Sequence, residues 1–459
     1  MNTLHLHPLL FGTLLTALPC AASPVEINQA NHTFIDALVS EGVLSPTQAD
    51  HVLARLREDS MRQAEVTPTA PAPQRLRFFG DLRFRFEDRN MSYQDNPSGR
   101  DEQSRYRLRL RGGATYQLSD HWSIALRLDT GKAANTSNVD FGNNTRRDGF
   151  GLNVGVATVL FEMPELAGVF DRSRFWIGKH HLPFFTTGIA GFWNVGDVTG
   201  EGLSQELRAT NVLGDWDLTL RGGEYLQRVR QFAGEGGKRT EIDYLLMAQA
   251  EFSNQSANDG VVTGFKLAPT FVTFLASDHP GLPSGDAFIE TDAPDGANYN
   301  DLASFILPAE LAFRIGRHSA AVFATFGHNF EGRSRARRFL PPGAEITSAM
   351  SNFYNAGIRL GAPGRRGASI TAEYRYIGAG AHTGALNHPD FNGGRNNARG
   401  PALSASFAFT DYLVSTVSYF RSSAVTSEAG GFLSTGGTSS DGLGFRRYET
   451  LQLDLQVKF

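Results

Sequence analysis

From Arg75 to the end of the chain, apolar and polar residues alternate with a period of two. Leu76, Phe78, Gly80, Leu82, Phe84 and Phe86 fall on one face of an extended strand, and Arg75, Arg77, Asp81, Arg83, Arg85 and Glu87 on the other. The pattern returns in Tyr106, Leu108 and Leu110 against Arg105, Arg107, Arg109 and Arg111, and in Ile124, Leu126 and Leu128 against Arg127 and Asp129. In a water-soluble sandwich the charged face would be the outer one. In a transmembrane barrel it would line the lumen, with the apolar face toward lipid. Alternation alone does not separate the two.

The connections do. Strands read at 76–89, 103–118, 122–131, 151–162, 172–180, 204–211, 214–226, 241–253, 260–276, 302–316, 319–330, 351–361, 367–379, 401–410, 412–423 and 446–459 give about sixteen. Short connections, at Ser119-Asp120, Pro164 to Asp171, Leu213-Gly214, Asn254 to Gly260, Arg317-His318, Pro363-Gly364 and Asp411, alternate with long ones rich in Gly, Asn, Asp and Ser. This rhythm predicts an all-β fold, a transmembrane antiparallel β-barrel of about sixteen strands over 75–459, with clipped turns at one rim and long loops at the other. Segments 277–301 and 424–445 leave room for a further hairpin, hence eighteen strands. The last strand sets Leu451, Leu453, Leu455, Val457 and Phe459 against Gln452, Asp454, Gln456 and Lys458.

Upstream the pattern changes. Residues 1–22 read as a signal peptide: Leu9 to Leu18 is apolar and leads into Cys20-Ala21-Ala22-Ser23, although the start holds His5 and His7 and no Lys or Arg. Residues 23–65 read as a periplasmic α-helical hairpin, with Phe34, Ile35, Leu38 and Val39 on the first stripe and Val52, Leu53 and Leu56 on the second. Residues 66–74 are a Pro-rich linker.

Composition narrows the class. With 49 Gly, 34 Phe and 6 Met among 459 residues, the chain is unlike a coiled coil. A net charge of −4 argues against nucleic acid as the main partner. Signal cleavage would remove Cys20, the single cysteine, so the mature chain has to be stabilised without disulfides. Nothing in the sequence calls for a cofactor.

The helical stretch Phe34-Ile35-Asp36-Ala37-Leu38-Val39-Ser40-Glu41-Gly42-Val43-Leu44-Ser45, the linker, Phe79-Gly80-Asp81-Leu82-Arg83, Arg107-Leu108-Arg109-Leu110-Arg111 and the terminal Phe459 together resemble a bacterial porin family. The likeness extends more distantly to phosphate-selective and general porins. It implies a water-filled channel in the outer membrane of a Gram-negative bacterium, commonly a homotrimer, among lipid and lipopolysaccharide. The terminal strand ending on Phe459 resembles the assembly signal read by the barrel-insertion machinery.

Candidate chemistry then lies in the inward side chains. Arg83, Arg85, Arg107, Arg109, Arg111 and Arg127 stand on neighbouring strands and suggest a basic stripe with mild anion preference, or else local pairing with Asp81, Glu87 and Asp129 that stiffens the wall. Inward candidates of both signs follow: Asp217, Arg221, Asp243, Glu251, Lys266, Glu310, Arg314, Glu373 and Arg375. The segment His180 to Ser204 carries Phe184, Phe185, Phe192 and Trp193 and is expected to fold inward, setting Asp197 and Glu201 across from the arginines. His180-His181 is a weak metal signal, and no metal site is expected. Tyr106, Tyr116, Trp122, Trp216, Tyr354, Tyr374, Tyr376, Tyr412 and Tyr448 are candidates for aromatic girdles, and the run Arg333 to Arg338 for lipopolysaccharide contact or a solvated charge run. No catalytic motif is found, so an enzyme is not expected. The alternative to a channel is a structural barrel whose helical segment tethers the envelope, with the cell wall as partner.

Overall fold

The computed structural model describes residues 75–459 apart from 94–99, 132–136, 142–150, 190, 194–197, 235–236, 255–260, 276–301, 317, 341–342, 364–365, 383–385 and 427–444. The chain divides into two units, Met1–Pro71 and Ala72–Phe459. The signal peptide, helical hairpin and linker expected upstream lie outside the described residues.

Among the described residues, eighteen strand segments form one sheet. They are β1 (Leu76–Tyr93), β2 (Arg100–Gln117), β3 (Trp122–Thr130), β4 (Val139–Asp140), β5 (Leu152–Met163), β6 (Arg172–His181), β7 (Thr199–Leu213), β8 (Trp216–Gly234), β9 (Gly237–Asn254), β10 (Val262–Leu267), β11 (Thr270–Leu275), β12 (Ala303–Ile315), β13 (His318–Asn329), β14 (Asn352–Leu360), β15 (Gly367–Ile377), β16 (Ala398–Ala408), β17 (Leu413–Ala424) and β18 (Phe445–Lys458). Two of them add no stave of their own. β4 is a two-residue pairing of a connecting loop onto β2. β10 and β11 are halves of one strand between β9 and β12, interrupted at Ala268-Pro269, where proline has no N–H to give the ladder. Sixteen antiparallel staves remain, as the loop rhythm predicted.

The sheet closes on itself, because β1 pairs with β2 on one side and β18 on the other. Phe459 completes the seam: its carbonyl accepts from the Gly80 N–H at 2.8 Å and its own N–H donates to the Gly80 carbonyl at 3.1 Å. Gly80 has to be glycine, since a Cβ there would lie 2.4 Å from the Arg111 carbonyl and 2.6 Å from the Phe459 ring.

The two faces separate as the alternation requires. Phe84, Leu110, Leu126, Phe271, Phe326, Leu403, Val417 and Leu453 are exposed on the outer wall, while Asp81, Arg85, Glu87, Arg107, Arg109 and Arg127 are buried inside. No helix among the described residues is long and apolar enough to cross a membrane. Aromatic pairs mark the outer wall: Phe86 with Tyr106 at 5.2 Å, Trp122 with Phe161 at 4.5 Å, and Tyr354 stacked on Tyr376 at 4.9 Å. Tyr448 corrects the girdle expectation. It shares the inward parity of Thr450 and Gln452 and is buried with them. The run Arg333 to Arg338 is also not a solvated stretch throughout. It lies in a short helix, α1 (Gly332–Phe339), that buries Arg335 and Ala336.

Candidate functional site

The β1–β2 register puts like charges opposite one another, with Arg83 facing Arg109 and Arg85 facing Arg107. Strands about 5 Å apart cannot leave such pairs uncompensated. Each guanidinium instead reaches a carboxylate or amide oxygen elsewhere. Arg109 donates to Asp81 at 2.9 Å and Arg111 to the same carboxylate at 2.7 Å. Arg85 makes a fork to Asp454 at 2.7 and 2.8 Å and reaches Asp390 at 3.3 Å. Arg107 donates to Asp140 at 2.8 Å, Arg127 forks onto Asp129 at 2.7 and 2.8 Å, and Arg83 donates to Asn138 at 2.6 Å. Planar bidentate pairing is what arginine, rather than lysine, supplies at such sites. All six arginines singled out in the sequence therefore stand on the inner wall in a mixed-charge ladder, joined by Arg89 and Arg105 around Glu87.

On the rest of the wall, Arg221 is shared between Glu206 and Glu251, Arg359 pairs with Glu310, and Arg375 pairs with Glu373. The side chain of Asp243 lies outside the described residues. His180 and His181 are engaged by Ser204 and Arg127.

The segment after β6 leaves the wall and crosses the interior. Phe185 trades two hydrogen bonds with Gln249 of β9, Thr187 meets Thr325 of β13 at 2.7 Å, and the Ile189 N–H donates to Glu373 of β15 at 3.0 Å. Phe184, Phe192 and Trp193 bury themselves in an apolar cluster with Leu245, Met247, Ile306, Phe353 and Ile377. Gly188 permits the closest approach. Its φ of 93° suits glycine, and a Cβ would sit 2.2 Å from Glu373 Oε2. The expected acidic pair is not assembled there. Asp197 lies outside the described residues, and Glu201 stands on the face of β7 shared with exposed Leu203, paired with Lys179 at 3.1 Å. The reason is parity: Gly200 and Ser204 face inward toward Tyr225, so Glu201 cannot.

Sequence reading missed a second inward segment, between β15 and β16. Its Asp390 pairs with Arg85, Asn392 accepts from Ser422 at 2.8 Å, and His382 donates Nε2–H to the Phe192 carbonyl at 2.6 Å. The two segments meet on Arg375, whose guanidinium lies 4.9 Å from the Phe192 ring and 5.5 Å from the Phe391 ring. Asn392 and Asn397 adopt φ of 56° and 57°, and Gly393 and Gly394 are also left-handed, so the chain can coil tightly enough to fit inside. The Asn-Gly-Gly-Arg-Asn-Asn run was the available signal, but that composition suits an outward loop equally well. Burial draws the His382 imidazole down to about 4, its bond to Phe192 opposes this, and Arg335 and Arg375 add to it. Burial alone would raise the Asp390 carboxyl, yet Arg85, His388 and a bond from Gln452 hold it well below the usual carboxylate range.

The fold is thus a closed, sixteen-stave antiparallel barrel with an apolar outer wall, a charged inner wall and segments folded inward. No family model matches the sequence, and no curated relative matches it. Among solved structures, the chain is similar to OprB of Pseudomonas putida at 12% identity, covering 84% of this chain and 95% of that one with a TM-score of 0.47. It is similar to OmpF of Salmonella typhi, in a complex with daunomycin, at 10% identity, 84% and 97% coverage and a TM-score of 0.43. The outer membrane channel DcaP of Acinetobacter baumannii gives 11% identity, 84% and 97% coverage and a TM-score of 0.40.

Proposed function

We propose that this protein is an outer-membrane porin of a Gram-negative bacterium, a passive diffusion channel for small hydrophilic solutes with mild anion preference, working as a homotrimer. The observation that supports it most is the combination of an apolar outer wall with an inner wall of arginine and carboxylate ladders, crossed by folded-in segments. Water and ions find compensated charge inside such a barrel, while apolar solutes meet ordered water and a strong local field. Arginines outnumber the carboxylates they share around β1 to β3, so the potential leans positive, and the pairing keeps that lean small. No catalytic role is assigned to any residue.

The test is single-channel conductance and reversal potential in planar bilayers under a salt gradient. Steady openings with an anion-leaning potential that shrinks in Arg107→Gln/Arg109→Gln support the reading. A silent barrel, or a potential indifferent to those changes, refutes it.

A further inference from the structure

Arg85 grips two carboxylates unequally. Its fork to Asp454 of β18 closes at 2.7 and 2.8 Å through Nε and Nη2, from stave to stave. Nη1 reaches Asp390 at 3.3 Å, a single, longer contact to a residue that belongs to no stave. The fork holds the guanidinium in place whether or not Asp390 is there, so the corner is preformed for a second carboxylate. The carboxylate of Glu87, 3.6 Å from Nη1, is paired with Arg89 at 2.8 Å and accepts from Gln452 at 3.0 Å. Asp390 is therefore the exchangeable partner.

The lobe that carries it, 386–397, is braced from within. Asn387 Nδ2 donates to Asn396 Oδ1 at 2.9 Å and to the Gly394 carbonyl at 3.3 Å, and Asn392 Nδ2 donates to the Arg395 and Asn396 carbonyls at 3.4 and 3.3 Å. Those bonds travel with the lobe when it moves. Against the wall of β17, β18 and β1 it is held by Asp390, by the Ser422 hydroxyl on Asn392 at 2.8 Å and by the His388 ring stacked on Phe420 at 5.7 Å. Asp390 supplies the charge in that hold.

We infer that this corner of Arg85 is a binding site for small carboxylate solutes that the chain fills with its own Asp390, and that such a solute releases the lobe by taking Asp390's place. Solute and Asp390 exclude one another at Nη1. The solute therefore binds the released state alone, which is the differential affinity a population shift requires. The tether keeps Asp390 at an effective concentration on the order of millimolar or above, so displacement needs solute in that range rather than traces. Acetate reproduces the aspartate side chain beyond its Cα, and acetamide keeps that shape without the charge. What release does to conduction rests on the channel reading above; the exchange at Arg85 does not.

The full-length, detergent-refolded protein is treated with chymotrypsin in chloride, in acetate at equal ionic strength, and in chloride with acetamide, while cutting near Phe391 is followed. Acetate is expected to speed that cut saturably, by at least about tenfold, and acetamide to leave it unchanged. Asp390→Asn is expected to be cut fast in chloride alone and to gain nothing from acetate, and Arg85→Gln to lose the acetate response with the site. Heat-modifiable migration shows that each barrel is closed. A wild-type cut indifferent to acetate, one accelerated equally by acetamide, or a closed Asp390→Asn barrel that still answers to acetate overturns the site. Cleavage is read without current, so conductance recorded on the same preparations keeps failure of the channel reading distinguishable from failure of this one.

Discussion

Replacing Arg375 with methionine removes a charged group that both inward segments contact. The methionine chain keeps part of the packing volume, so the loss is mainly of charge. Removing one partner of a buried ion pair costs roughly 3–5 kcal/mol, because Glu373 is left buried against only the Ile189 N–H and the Asn355 amide. Losing the Phe192 and Phe391 contacts adds on the order of 1 kcal/mol each. The barrel wall does not bear this cost, since its ladders run strand to strand through β14, β15 and β16 without Arg375's side chain. The cost falls on the docking of the two segments. At about 1.4 kcal/mol per decade, their undocked population rises by at least about a hundredfold. Single-channel recordings of Arg375→Met are expected to show a larger and noisier open current, and limited chymotrypsin treatment to cut near Phe192 and Phe391 faster. Arg375→Met/Glu373→Gln, which removes both charges, recovers much of the wild-type behaviour. Unchanged current, noise and cleavage in a folded Arg375→Met barrel would falsify the claim that this residue holds the segments.

Acid acts at the other end of the same junction. His382 is neutral when docked with a pKa near 4 and titrates near 6.5 when released, so docking is fully stable above about pH 6.5 and weakens roughly tenfold per unit as pH falls toward 4. Asp390 stays charged through this window, so current noise should rise on acidification while His382→Gln removes most of the pH dependence. Gly188→Ala should push the first segment off Glu373 and enlarge the current, whereas an alanine at the unobstructed Gly112 should leave it unchanged; equal effects would remove the close-approach argument. Deleting Phe459 removes both seam hydrogen bonds and the ring over Gly80, and heat-modifiable migration should reveal a lower fraction of closed barrel, by several-fold; full closure would show the seam to be redundant.

Period-two alternation carried most of this architecture, because a sheet with lipid outside and water inside has to obey it on every stave. The inner face carries Arg83, Arg85, Arg107, Arg109, Arg111 and Arg127, and the outer face Leu451, Leu453 and Leu455, as the alternation requires. Where it failed, a second rule competed. Tyr448 suits a girdle by residue type, yet its parity with Thr450 turns it inward. Glu201 belongs by composition to the loop before β7, yet β7 begins at Thr199 and parity turns the side chain outward. The segment between β15 and β16 could not be placed at all from its composition. Whether a polar, Asn-rich stretch packs inside depends on partners such as Arg85 and Ser422, which lie far away in sequence and become neighbours only when the barrel closes.

The seam between Gly80 and Phe459 also dictates an order of events during biogenesis. The first stave's free edge finds its mate only when β18 has been made and delivered, so β1 has to wait with an open row of N–H and C=O groups. An unguarded edge of that kind recruits other chains. Its inward side chains are arginines and acids, a composition that repels an in-register copy of itself and accepts β18, whose Asp454 and Gln452 answer Arg85 and Glu87. The charges that line the finished lumen thus serve earlier as the edge's protection against the wrong neighbour.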